Sequence, residues 1–276
     1  FFYPNPLASY GDYSRKPWFG CACCPSNISR FIPSLPGYIY AVRDRDLYVN
    51  LFIPNSADLE VDGRKIKLSQ TTGYPWTGDV NITVDKGSAD MALNIRIPGW
   101  VRNSPVPGDL YAYTDSLVPT YSVKVNGRDY AGELRDGYLV IPGRWKRGDR
   151  VDISFDMPVR TVRAHDNVEA DRGRLAVERG PLVYCAEWPD NSFNVHTTLL
   201  RRHPEFKLGE LTDELGGIRK ITTEVQSLSY APDGTLAVTP QTLTLIPYYA
   251  WAHRGEGDMA VWLPADISAA TATTPG

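Results

Sequence analysis

The chain has 276 residues, of which 42% are hydrophobic and 22% charged, with a formal net charge of −3. That length accommodates about two domains, each with its own core, and the composition is that of an ordinary globular protein. The acidic balance argues against a general nucleic-acid partner, and no apolar run approaches the ~18 residues that a membrane-spanning helix needs.

The chain opens on Phe1-Phe2-Tyr3-Pro4-Asn5-Pro6, without an initiating methionine or a charged-then-apolar leader. We expect the native N-terminus to lie upstream, and the compartment is not legible. The first element sits just after Trp18-Phe19-Gly20-Cys21-Ala22-Cys23-Cys24-Pro25-Ser26-Asn27. Ile28, Phe31, Ile32 and Leu35 recur with the spacing of an amphipathic helix, and Pro25 suits the first helical position, where its missing N–H costs nothing. Pro33 should kink this helix or end it near Arg30–Ile32, because proline removes a hydrogen bond and clashes one turn back.

From about residue 37 the pattern is β-structure. Tyr38–Val42 and Leu47–Ile53 flank the charged turn Arg43-Asp44-Arg45-Asp46, a hairpin signature. Asp62-Gly63, between Leu59/Val61 and Ile66/Leu68, suits a type I′ turn, since glycine takes positive φ at low cost. Alternations follow at Val80/Ile82/Val84, at Met91/Leu93/Ile95/Ile97, and at Val123/Val125 closed by Asn126-Gly127. Tyr138–Ile141 and Val151–Phe155 bracket a turn-rich stretch from Pro142 to Arg150. A second β-unit is expected from Thr161, with strands in Leu175–Glu178, Leu182–Glu187, Ile218–Tyr230, Leu236–Thr244 and Met259–Leu263. Residues 188–210 form a polar connector, and the tail 266–276 should be disordered. Short strands with 23 Gly and 22 Pro supplying turns point to sandwiches rather than a parallel sheet.

Four cysteines are too few for a disulfide scaffold, and three of them fall within four positions. Cys185, inside an apolar strand pattern, reads as a small buried hydrophobe. Cys23 and Cys24, at or just before a helix N-terminus, stand where partial positive charge stabilises a thiolate. Adjacent thiolates also suit a soft metal such as zinc, but zinc wants four ligands and this run supplies three sulfurs at most. Three packed, reduced cysteines or a strained adjacent disulfide is the blander reading.

The other candidates are weaker. Tyr74-Pro75-Trp76, Trp100, Trp145 and Tyr248-Tyr249-Ala250-Trp251 could stack on sugar rings; core packing explains them more simply, with Trp76 the best exposed candidate. His165, His196, His203 and His253 stand at no ligand spacing from one another. Asp12 and Asp44 read as solvated loop charges, and Arg201-Arg202-His203 is too short to signal nucleic acid.

The segment Arg15–Arg30 with its Cys-Ala-Cys-Cys-Pro run, followed by Gly37-Tyr38-Ile39-Tyr40, resembles the end of the catalytic domain of glycoside hydrolase family 127 β-L-arabinofuranosidases. The similarity continues through Ile95–Trp100, Met157–Arg160 and Glu178–Tyr184 to Ile246–Gly255, covering nearly the whole chain in the family's order. His253 departs from the asparagine that the family pattern leads one to expect. The resemblance implies a mostly β chain: the last segment of an α/α barrel (1–36), then antiparallel β-sandwiches at 37–160 and 161–265. It further implies that Cys23 is the nucleophile and a zinc ligand, and Cys24 a second ligand. Cys21 is not taken as one. The remaining ligands and the acid/base glutamate would lie upstream. The implied partners are an arabinose-containing glycan and the missing barrel, and the isolated chain should be inactive. Because relatives occur both in the bacterial cytoplasm and in the periplasm, the resemblance leaves the compartment open. The alternatives are a non-catalytic carbohydrate-binding or structural sandwich module, and a redox protein with a reversible Cys23–Cys24 disulfide.

Overall fold

The structure, a computed structural model, describes Phe2 and residues 4–272. The chain divides into two compact units. One comprises Ala22–Ser104 and Leu117–Met157; the other comprises the residues up to Cys21, Pro105–Ser116, and the chain from Pro158 onwards. No helix among the described residues is long and apolar enough to cross a membrane.

The first unit is a β-sandwich organised by one 18-residue strand, Asp79–Arg96. Its first half pairs with Arg64–Thr72 and Arg150–Phe155, and its second half with Tyr138–Lys146 and Asp46–Val49. The same strand therefore serves both layers of the sandwich. The corner falls at Gly87, whose φ of +88 is opposed by a bulge between Lys67 and Leu68. A side chain at Gly87 would collide with the backbone carbonyl oxygen of Lys65. Replacing Gly87 by alanine is therefore expected to destabilise this unit by more than about 1 kcal/mol, measurable as a lower unfolding midpoint in denaturant. An unchanged midpoint would contradict the corner assignment.

The alternations expected along these strands are inward-facing. Val80, Ile82, Val84, Leu93, Ile95, Ile97, Val151 and Ile153 are all at most 3% exposed. Such burial contributes about 1.5–3 kcal/mol per large aliphatic side chain. Asp62-Gly63 and Asn126-Gly127 both take positive φ at both residues, as type I′ turns require.

Four local expectations are corrected. Tyr38 and Ile39 belong to a one-turn helix, Pro36–Ile39, and the strand begins only at Tyr40. The strand expected over Leu47–Ile53 stops at Val49. That strand, Asp46–Val49, runs parallel to Asp79–Arg96, with Leu47 opposite Leu93, where the expected sandwich was antiparallel. The strand Tyr138–Lys146 continues straight through Pro142 and Gly143. Beyond Leu139 its second side has no ladder partner among the described residues, because Leu134–Arg135 is only two residues long. Proline is tolerated on such an edge.

In the second unit the strand order runs through Thr198–Leu200, Ile218–Tyr230, Leu236–Pro247, Leu182–Glu187, Arg174–Arg179, Val159–Ala164 and Tyr111–Tyr113. Its core gathers Val177, Tyr184, Val195, Leu200, Ile221, Leu243, Leu245 and Leu263. The strand Tyr111–Tyr113 arrives from a stretch lying between two segments of the other unit, and it pairs with Val162–Ala164. The connector 188–210 is more ordered than its composition suggested, with 3-10 turns at Trp188–Asp190 and Val195–Thr197 before Thr198–Leu200.

The tail begins with a 3-10 turn, Ile267–Ala269, which Asp266 caps through Ser268 N at 2.9 Å. Arg174 holds its end by donating to Ala269 O at 2.9 Å. Residues 273–276, part of the tail expected to be disordered, lie outside the described residues.

Candidate active-site segment

The segment of highest interest is divided between the units: residues up to Cys21 group with the second sandwich, and Ala22 onwards with the first. Within the second sandwich, the N-terminal residues are stitched in as an added strand. Ala8–Tyr10 pairs antiparallel with Asp258–Ala260. Tyr248 donates its hydroxyl to Pro6 O at 2.9 Å, and the ring of His196 lies 2.7 Å from Ser9 O. Arg15 donates to the carbonyls of Tyr249 and Trp251, both at 2.9 Å. Phe2 stacks on Trp251 at a centroid distance of 4.9 Å. The Tyr248–Gly255 loop thus grips the residues that lead into the cysteine run.

In the first sandwich, the helix spans Cys23–Ser34, so Cys23 and Cys24 are its first two residues and Pro25, expected at the first position, is the third. It passes Pro33 and ends one residue later, further than expected. Local hydrogen bonds support that last turn: Ser34 Oγ donates to Phe31 O at 2.6 Å, and Leu35 N to Ile32 O at 3.2 Å. At the N-terminus, Ala22 offers no side-chain cap and the first turn carries no acidic residue. The positive end of the helix is therefore left to the two thiols. Both are exposed, and their sulfurs lie 3.8 Å apart, within thiol hydrogen-bond reach and not joined as a disulfide. Cys21 is also exposed.

Ile28, Phe31 and Ile32 form the expected apolar stripe, yet they are 43%, 51% and 58% exposed. Pro25 is the helix's buried residue. Cys185 is fully buried, and burial pushes its thiol pKa well up. A thiol-specific reagent should accordingly label three cysteines, Cys21, Cys23 and Cys24, in the folded chain. The fourth should react only after denaturation, as counted by mass spectrometry. Rapid labelling of Cys185 in the folded chain would contradict the packing.

The remaining candidates disperse. Trp100, Trp145 and Trp251 are buried, Trp76 is half-buried, and Tyr249 is exposed. His196 is a buried hydrogen-bonded residue stacked on Tyr10 at 3.9 Å, whereas His165, His203 and His253 are exposed. Asp12 accepts from Tyr10 N within a turn, and Asp44 sits at positive φ in another. Among the described residues, no group of three or more His, Cys, Asp and Glu side chains converges as a metal site.

One cluster escaped sequence reasoning. Arg254 bridges Glu187 at 2.6 Å, Asp190 at 2.5 Å and Glu214 at 2.8 Å. Lys220 closes the ring to Asp190 at 2.7 Å and Glu214 at 2.8 Å. Glu187, 1% exposed, also accepts from Ala252 N at 2.7 Å. This network braces the loop that holds Arg15. Its members are scattered from residue 187 to 254, and no spacing announces them.

Comparison with known proteins gives a consistent ordering. Residues 1–37 match the family model described as the GH127 β-L-arabinofuranosidase catalytic domain, 46–157 the GH127 middle domain, and 159–264 the family 127 C-terminal domain. A non-reducing end β-L-arabinofuranosidase of Bifidobacterium longum subsp. longum is 36% identical over 94% of this chain and 39% of its own length. A solved GH127 β-arabinofuranosidase superposes with a TM-score of 0.97 at 60% identity, covering 99% of this chain and 43% of that one. The GH127 β-L-arabinofuranosidase Ara127N from Geobacillus stearothermophilus T6 gives a TM-score of 0.83 at 34% identity, covering 96% and 42%. The chain thus spans about two fifths of the length of these relatives. With three consecutive domain models matched in order, the chain belongs to glycoside hydrolase family 127.

Proposed function

We propose that this chain is the part of a retaining β-L-arabinofuranosidase that supplies the cysteine nucleophile, with Cys23 in that role and Cys24 beside it as a zinc ligand. The observation that carries the reading is the pair of exposed, adjacent thiols on an uncapped helix N-terminus, inside the stretch matched by the catalytic-domain model. The pair suits the metal. Zinc–sulfur bonds of ~2.3 Å in a tetrahedron place two sulfurs roughly 3.8 Å apart, and the two sulfurs here are separated by 3.8 Å. Cys23 and Cys24 would hold the ion together with ligands from the rest of the catalytic domain. Zinc bound there favours the thiolate over the thiol near neutral pH.

The chemistry of this chain is then the nucleophilic half of a double displacement. The Cys23 thiolate attacks the anomeric carbon, and the carbon–oxygen bond to the leaving group breaks. A carboxylic acid from the rest of the catalytic domain protonates the departing oxygen. Water, deprotonated by the resulting carboxylate, attacks the same carbon and releases Cys23, so the two inversions leave the configuration retained. The substrate class is an arabinose-containing plant-type glycan with terminal β-L-arabinofuranose. The exposed stripe of Ile28, Phe31 and Ile32 is covered in this reading by the helices of the α/α barrel.

The test compares two proteins on an aryl β-L-arabinofuranoside. A protein joining this chain to its full catalytic domain should hydrolyse it with retention and bind zinc, and zinc should shield Cys23 and Cys24 from alkylation. The 276-residue chain alone should show no turnover. Turnover by the isolated chain, or zinc-independent labelling of both thiols, would overturn the assignment.

A further inference from the structure

Apart from the cysteine segment, the second sandwich holds a cavity of about 740 Å³ lined by the turn around residues 166–174, by Arg202 and His203, and by Ala265 and Asp266. Three consecutive residues build it. Arg172 donates to Asp166 O at 2.7 Å and to Glu169 at 3.3 Å, closing one rim. Gly173 O accepts from Ala265 N at 2.8 Å and Asp266 N at 3.0 Å, and Arg174 donates to Ala269 O and Trp262 O, closing the other. Gly173 stands at φ +70, and a Cβ there would come within 3.1 Å of both Asp266 and Ala269. The floor is therefore fixed by a residue whose conformation and surroundings favour glycine.

Arg172 and Arg174 are committed to this framework. Arg163 and Arg202 also line the cavity, and neither side chain makes a hydrogen bond or ion pair among the described residues. Two unengaged guanidiniums in one concavity call for an anion, which such forks bind in a bidentate manner. Asp171 lines the same cavity, where burial raises its carboxyl pKa and Arg174 draws it partly back. Behind this lining, Tyr111, the strand partner of Ala164, stacks on Trp262 at 5.7 Å.

We propose that this cavity is a second glycan site, distinct from the cysteine chemistry, that takes a uronic-acid residue. Arg163 and Arg202 hold the sugar carboxylate, and Asp171 accepts from ring hydroxyls. Asp171 disfavours a compact dianion such as phosphate, which would bring its charge against a carboxylate. A uronate separates one charge from several hydroxyls, matching a cavity with cations and an acceptor.

The experiment is calorimetric titration of the 276-residue chain with trigalacturonate, a neutral arabinotriose and inorganic phosphate. Trigalacturonate should bind at least about 10-fold more tightly than either of the others, and raising salt from about 50 to about 500 mM should weaken it. Arg163→Ala combined with Arg202→Ala should weaken it at least about 10-fold without lowering the unfolding temperature, because both side chains are exposed and unengaged. Asp171→Asn supplies an independent variant that should lose affinity for the sugar acid while gaining it for phosphate. No binding of trigalacturonate, equal binding of the neutral sugar or phosphate, or indifference to the double substitution would overturn the proposal.

Discussion

Replacing Cys23 by serine, in a protein that joins this chain to its full catalytic domain, is expected to lower turnover of an aryl β-L-arabinofuranoside by at least about 10³-fold. A serine hydroxyl ionises far above neutral pH and is a poor zinc ligand, so on the proposed mechanism both the nucleophile and one metal contact are lost together. Cys23 is exposed and serine differs from it by one atom, so the fold should tolerate the change. Circular dichroism and the unfolding midpoint should therefore match the unsubstituted protein. Cys24→Ser should reduce zinc content, measured by atomic absorption, while leaving Cys23 in place to be alkylated. Cys21→Ser should leave activity within a few-fold of the parent. A Cys23→Ser protein with near-normal kcat would remove the thiolate from the mechanism.

The second large effect concerns stability. Glu187→Ala should destabilise the second sandwich by about 3–5 kcal/mol, because it leaves Arg254 short of a carboxylate that is itself 1% exposed. Thermal unfolding should fall by roughly 6–15 °C. Arg254→Ala should cost a similar amount, and the double variant less than the sum, since the two residues share one network.

The same network predicts an acid sensitivity. Burial alone would raise the Asp190 pKa, but hydrogen bonds from Arg254 and Lys220 outweigh it and hold the carboxyl below its ordinary value of 3.8. A depressed folded-state pKa contributes stability that is fully present above the unfolded value and is lost as pH falls through the folded one. The contribution of Asp190 should thus be complete at pH 5 and above and fade below about pH 4. Asp190→Asn should flatten that acid limb; an unchanged limb would assign acid unfolding to other carboxylates.

Much of the fold is legible in local pattern. Val80/Ile82/Val84 and Met91/Leu93/Ile95/Ile97 alternate because one face of a strand must be dry, and the structure buries each of them. Asp62-Gly63 and Asn126-Gly127 announce type I′ turns because few other pairs hold positive φ twice. Pairings made at long range carry no such mark. Ala8–Tyr10 against Asp258–Ala260, and Tyr111–Tyr113 against Val162–Ala164, are three-residue contacts fixed by the rest of the sheet. Two prolines interrupt less than their chemistry suggests. Pro33 lies so close to the helix end that little is left to break, and Pro142 lies on an edge that asks for no donor.

The candidate site was legible unevenly. The Cys-Ala-Cys-Cys-Pro run and the spacing of Ile28, Phe31 and Ile32 place two thiols on a helix start, where the structure has them. That the stripe is exposed in this chain is something periodicity does not encode. Arg163, Arg202 and Asp171 are separated in sequence and meet only through the second sandwich. Read as sequence they are ordinary surface charges.

The most direct test of the central claim is to trap the covalent intermediate. The protein carrying the full catalytic domain would be treated with an activated β-L-arabinofuranosyl inactivator, digested under mild acid and mapped by tandem mass spectrometry. The account predicts one pentosyl adduct, on the sulfur of Cys23, abolished by Cys23→Ser and suppressed when zinc is chelated. A pentosyl ester on a carboxylate, with Cys23 recovered unmodified, would contradict it.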